Sequence, residues 1–114
     1  MEILRFNNPV FKPGLNCTMR RGYAWAERIG KAPAQSLLPV DIQDSEGNHV
    51  CFGKCKYYHI CKFCDIKAQW LESQHDPKCR TYNGLRDAMI MAYGDNFSEI
   101  EYITVVWFYT YQKA

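Results

Sequence analysis

The sequence predicts an α+β fold: a small, closed or nearly closed β-barrel of about five to six strands with two flanking helices. Three observations lead there. Segments with period-two alternation, rich in β-branched and aromatic residues, recur from the N-terminus to residue 63. One clear amphipathic helix then precedes a last segment that is apolar on both faces. The length, 114 residues, suits one core, and we expect residues 1–114 to form a single domain.

Ile3, Leu4 and Phe6 suggest a short first strand, closed by Asn7-Asn8-Pro9. Pro13-Gly14 is a turn, and NCTMR (16–20) alternates as a second strand. Side-chain direction has period two there, so Asn16, Thr18 and Arg20 share one face, and Cys17 and Met19 the other. Residues 22–35, punctuated by Gly22, Gly30 and Pro33, read as irregular. SLLPVDIQD (36–44) is a third strand, with Pro39 favouring an edge or a bulge. Ser45-Glu46-Gly47-Asn48 is a hairpin turn by composition, and a long fourth strand returns from His49 to about Phe63. Asp65 is placed to cap a helix over roughly Ile66 to Gln74, which Asp76-Pro77 would end. Leu85, Ala88, Met89 and Ala92 fall at i, i+3, i+4 and i+7, one helical face, with Gly94 as its stop. EYITVVWFYTYQ (101–112) reads as a buried central strand.

Composition narrows the class. Hydrophobic residues make up 47% and charged residues 23%, as in globular proteins rather than disordered tails. The formal net charge of +2 sets up no global field for nucleic acid, so any basic surface must be local. Arg20, Arg21, Arg28 and Lys31 cluster in sequence, as do Lys54, Lys56 and Lys62. No stretch approaches the ~18 apolar residues of a membrane span, and the N-terminus has no signal-like apolar run. The expectation is a cytoplasmic protein with reduced cysteines and no membrane partner.

Four cysteines and a histidine crowd CFGKCKYYHICKFC (51–64). Zinc would need paired ligands converging through a tight turn, yet Lys62-Phe63 offers no turn residue between Cys61 and Cys64. On an extended strand those two project to opposite faces. Strict alternation puts Cys51, Cys55, Tyr57, His59, Cys61 and Phe63 on one side, and Lys54, Lys56, Tyr58, Ile60 and Lys62 on the other. The expectation is packing cysteines, with no metal and no cofactor. His49, His59 and His75 show no spacing logic and are assigned no chemistry. Glu72 or Asp76 would bring an acid to a cleft only if their loop folds inward.

Several stretches together resemble a family: NCTMRRGYAWA (16–26), GKCKYYHICKFCDI (53–66), and LRDAMIMAYGDNF (85–97) leading into ITVVWF (103–108). In order and spacing they are similar to the ASCH domain, whose fold is PUA-like, and Phe63-Cys64-Asp65-Ile66 matches its F-S-D-I phrase. The resemblance implies a PUA-like barrel whose basic cleft binds RNA or a modified nucleotide. The early family motif runs Gly-x-Lys-x-x-(Glu or Thr)-x-Arg. Thr18 and Arg20 match it, but the lysine position falls on Leu15, or on Asn16 if the register starts at Gly14. Family members resembling amidohydrolases of acylated cytidine depend on that lysine, and neither leucine nor a neutral amide replaces an amine.

The expected nucleic-acid-binding residues are therefore Asn16, Thr18, Arg20, Arg21, Tyr23, Trp25 and Lys54. Arginine supplies a planar fork for phosphate or base edges, and exposed rings supply stacking faces. Thr18 is the catalytic candidate only if the protein is an enzyme. The alternative classes are a small amidohydrolase or ribonuclease, and a compact viral or mobile-element protein that binds a host protein partner.

Overall fold

The computed structural model describes residues 1–32 and 37–111. Five strands, β1 (Glu2–Phe6), β2 (Leu15–Arg21), β3 (Leu38–Asp44), β4 (His49–Lys62) and β5 (Tyr102–Tyr111), form one sheet in the order β1-β3-β4-β5-β2. β1 pairs parallel with β3, and the other neighbours pair antiparallel. The sheet curls into a half-barrel with β1 and β2 as its edges. The curl brings the Arg20 guanidinium of β2 over the Phe6 ring of β1, 4.7 Å from its centroid. Expectations at Pro33, at Ser36 and at Gln112 lie outside the described residues.

β5 is an interior strand between β4 and β2 rather than the central one, and its two apolar faces are covered: Ile103 to Phe108 are all buried. One sheet face packs Met19, Ile103 and Val105 against Phe63, Leu85, Met89 and Phe97. The other gathers Leu4, Phe6, Val40, Ile42, Val106 and Phe108 inside the curl. Pro39 lies in β3, an interior strand, yet it pairs only with Lys54, because β1 joins at Val40. Its missing N–H falls where the strand still behaves as an edge.

A bulge at Lys56 divides β4. Cys55 faces Phe108 while Tyr57 faces Trp107, so two residues advance on β4 for one on β5. The expected single face is thereby corrected. Cys51 and Cys55 enter the inner core, whereas Cys61, on the face it shares with Tyr57 and His59, packs against the other core. Lys54 likewise parts from Tyr58, Ile60 and Lys62.

Among the described residues three α-helices flank the sheet rather than two. Residues 24–30, expected to be irregular, form α1 (Ala24–Gly30). Ala24 and Ala26 favour helix, and burying Trp25 and Ile29 against the inner core fixes it there. The helix expected over 66–74 shrinks to one turn, α2 (Ala68–Leu71), after a 3₁₀ turn that contains Asp65. Asp65 is not its cap. Ile66 and Lys67 stay extended, and the far end of the segment is taken by the sheet: Cys17 N–H donates to the Ser73 carbonyl (2.9 Å), and His75 N–H to that of Cys17 (3.1 Å).

α3 (Tyr82–Tyr93) starts where Thr81 Oγ1 accepts the Gly84 amide at 3.1 Å, and stops at Gly94, whose φ of 93° suits only glycine well. Gly84 is needed for a second reason. A Cβ there would stand 2.0 Å from the Lys78 carbonyl oxygen, so α3 and the Pro77–Cys79 3₁₀ turn touch backbone to backbone. Gly84→Ala should cost ~1–3 kcal/mol in urea denaturation, despite alanine's better helix propensity. A variant as stable as the parent would show that the contact is looser than described.

Candidate functional site

A cleft of about 830 Å³ opens between the two sheet edges and α3. Phe6 and Asn8 line it from the end of β1, Thr18 and Arg20 from β2, Gln74 to Asp76 from the docked loop, and Ala88 and Ala92 from α3. Ala92, expected on the buried face of its helix, is exposed because that face runs out into this opening.

Arg20 dominates the electrostatics. Its Nε is shut off from solvent, and among the described residues it has no hydrogen-bond partner and no carboxylate lies within ion-pair distance of the guanidinium. Burial pushes its pKa down from the usual 12.5, but a guanidinium keeps its charge at neutral pH. A buried donor left open is costly, so the position favours an acceptor that enters from outside.

His75 stands beside it with its ring against Phe6, centroids 4.6 Å apart. Its Nδ1 lies 2.9 Å from the Val10 carbonyl, which can only accept, so Nδ1 carries the proton and Nε2 is an acceptor. Burial holds its pKa below 6.5, and Arg20 and Arg80 push the same way, against Val10 and Asp76. The imidazole is neutral. Asp76 is opposed by burial, yet hydrogen bonds from Asn8 and from the Lys78 amide, with nearby His75 and Lys78, hold its carboxyl below the usual 3.8. The cleft lining therefore combines a permanent cation, a neutral acceptor and an ionised acid, together with Lys78.

Of the residues expected from the sequence, Thr18 and Arg20 meet in this cleft, as strand alternation requires. The others lie elsewhere. Asn16 is fully buried and staples its own turn, donating to the carbonyls of Lys12 (3.0 Å) and Gly14 (3.3 Å) and accepting from the Lys12 amide. Arg21 points away and binds Glu101 at 2.6 Å. Tyr23 is exposed beside Tyr102, and Trp25 is buried in the inner core under Arg28. Lys54 sits on β4 over the Tyr111 ring. Leu15 packs toward the α3-covered core, so a lysine there would sit on the sheet face opposite Thr18.

Sequence reasoning passed over Gln74 and His75, and admitted Asp76 only if its loop folded inward. It does. The local signal was weak, because the two backbone bonds that dock this loop are made to a residue far back in the chain.

No protein-family model and no curated protein sequence matches the chain. Among solved structures, it is similar to the high-resolution crystal structure of an ASCH domain from Lactobacillus crispatus JV V101. The TM-score is 0.53 at 12% identity, and the match covers 83% of this chain and 63% of that one. The fold is ASCH-like. At this identity the likeness speaks for the fold alone, and this chain spans less than two thirds of that structure. In this ASCH-like frame the cleft lies where the curled sheet leaves its two edges apart.

Among the described residues no three His, Cys, Asp or Glu side chains converge on a possible metal position, and no helix is long and apolar enough to cross a membrane. Burial pushes the Cys17 and Cys55 thiols up to about 12, which disfavours the thiolates that zinc requires. Metal analysis of protein purified without chelator should find well under one equivalent of zinc; a stoichiometric ion whose removal lowers Tm would overturn this.

His75 also predicts a pH effect. Its native pKa lies below the unfolded one, so unfolded chains bind the extra proton first. Its contribution is fully present above about 6.5 and is lost as pH falls from there through the native value. Asparagine at 75 retains a donor for Val10, so the urea midpoint of His75→Asn should fall less than that of the parent between pH 7 and 5. Parallel curves would show that His75 titrates normally.

Proposed function

We propose that the cleft binds RNA or a modified nucleotide, through an anionic group held by Arg20. The observation that carries this reading is the Arg20 Nε, buried in the cleft with no partner and no carboxylate within ion-pair reach among the described residues. Phosphate fits the need, since a guanidinium fork presents parallel donors to its oxygens. Neutral His75 and ionised Asp76 are placed to accept hydrogen bonds from a base or sugar, which would orient the ligand rather than add affinity. The ASCH-like fold and the match of Thr18 and Arg20 to that family's motif favour the same ligand class.

Binding is preferred to catalysis on the residues around Thr18. The family lysine is replaced, and the side chains at 15 and 16 are committed to a core and to a turn. Deacylation of acylcytidine by a lysine-dependent route is not expected.

Few phosphates can be engaged at a net charge of +2, about 3–4, so the log–log salt slope on single strands should be near −2 to −3. Arg20→Ala should weaken binding at every salt concentration and flatten that slope by roughly 0.7. Trp25→Ala should leave affinity unchanged in molecules that stay folded, because its ring is buried away from the cleft. The check is a salt titration with short RNA oligonucleotides and with free nucleotides. Unaltered affinity in Arg20→Ala would reject the cleft as the anion site. Turnover of acylcytidine abolished by Thr18→Ala would reject the binding-only reading.

A further inference from the structure

We propose that the strip of sheet face beside the Lys56 bulge is a second binding surface, a stacking platform for single-stranded nucleic acid. None of its residues lines the cleft. The register puts Phe52 opposite Tyr111, Lys54 opposite Tyr109 and Tyr57 opposite Trp107, all on one face. Only the bulge makes this strip: with unbroken alternation Tyr57 would point to the other side. Phe52, Tyr57, Tyr109 and Tyr111 pack into neither hydrophobic core, and Tyr57 and Tyr111 are 38% and 40% exposed.

The rings are held from behind. Tyr57 stacks on buried Trp107 with centroids 5.7 Å apart, and Phe52 on Tyr111 at 6.0 Å. Trp107 donates its indole N–H to His59 at 3.0 Å, and His59 stacks on Trp70 at 4.7 Å. Such support leaves little side-chain freedom to lose when a base stacks on the outer ring.

Charge decides what fits. Lys54 Nζ lies 5.5 Å from the Tyr111 ring, and Lys56 Nζ lies 5.9 Å and 5.7 Å from those of Tyr57 and Tyr109. The acid on this strip is Asp41, across from Phe52, and it is already held by His49 and Gln43. A row of rings interleaved with ammonium groups suits a strand with π-faces and phosphates in repeat. Each lysine can exchange its ring for a phosphate while the ring takes a base. An apolar protein partner would have to bury both lysines unpaired.

The test uses the whole chain and fluorescein-labelled twelve-nucleotide single strands, oligo-U and oligo-dT, with a duplex control, read by anisotropy at low salt. Tyr57→Ala and Tyr109→Ala should each weaken single-strand binding about five- to a hundredfold, and the Phe versions should restore it. Lys56→Ala should reduce the salt slope by about 0.7. Ultraviolet cross-linking of unmodified protein, mapped by mass spectrometry, should place adducts on Tyr57, Tyr109 or Tyr111, a readout independent of whether the variants fold. Arg20→Ala separates this surface from the cleft. Loss with the ring variants supports the platform, whether or not Arg20→Ala adds a loss of its own; Arg20→Ala without effect would in addition remove the cleft as the strand's site. Loss with Arg20→Ala alone, with adducts only in the cleft, overturns the platform and leaves the cleft reading standing. No binding of any strand, with self-association in light scattering that Tyr57→Ala abolishes, would assign the strip to a second copy of the chain and overturn the proposal.

Discussion

The amide and carbonyl of Cys17 hold the site together. The amide donates to Ser73 and the carbonyl accepts from His75, so three residues of loop lie parallel to the outer edge of β2. Each bond is worth only ~1 kcal/mol net, but leaving either buried group open would cost ~1–3 kcal/mol. Gln74 closes the join by donating its side-chain amide to Cys17 Sγ at 2.9 Å. That edge would otherwise present a free strand to solvent, and the same contact brings His75 and Asp76 into the lining of the cleft. Asp76 then caps the Pro77–Cys79 turn, on whose Lys78 carbonyl Gly84 seats α3. One wall of the cleft thus hangs on two hydrogen bonds and one absent methyl group.

The parts of the fold legible in the sequence are those decided by local pattern. The both-sided apolarity of 103–108 marks a buried interior strand, and Leu85 and Met89 with Gly94 mark α3, because burial on these elements follows their own periodicity. α1 escaped notice because seven residues show less than two turns of helical pattern, and Gly22 and Gly30 on either side suggest a loop. α2 was overextended because its propensity continues to Gln74, where pairing with β2 takes precedence over helix. Propensity is a weak prior, and a strand edge with open donors outweighs it.

For the site, Thr18 and Arg20 were readable because two positions apart on a strand means one shared face. His75 and Asp76 were not, since their partner Cys17 is nearly sixty residues away and neither neighbours a motif. β4 makes the converse point. Alternation applied across residues 51–63 is right on each side of Lys56 and wrong across it, because one inserted residue reverses every later side chain. Nothing local announces that bulge: it is the place where one strand satisfies two cores, Cys55 facing inward with Phe108 and Tyr57 outward with Trp107.

The two surfaces differ in what their cations can do. Arg20 is partly buried, and with Nε already desolvated it gains most from a single well-placed acceptor, which is a recipe for selectivity. Lys54 and Lys56 are exposed and screened, with Lys56 donating to the Tyr109 hydroxyl at 3.3 Å, so they would hold a strand loosely and without regard to sequence. The strip and the cleft lie on opposite faces of β5 and β2: Tyr109 pairs with Leu15, and Thr104 with Arg20, five residues or about 17 Å apart along the strand. A single strand stacked on Tyr57 and Tyr109 would therefore have to pass over the sheet edge at β2 to reach Arg20. The Ser73–His75 segment guards that edge, so the loop that builds the cleft also sets the route between the two.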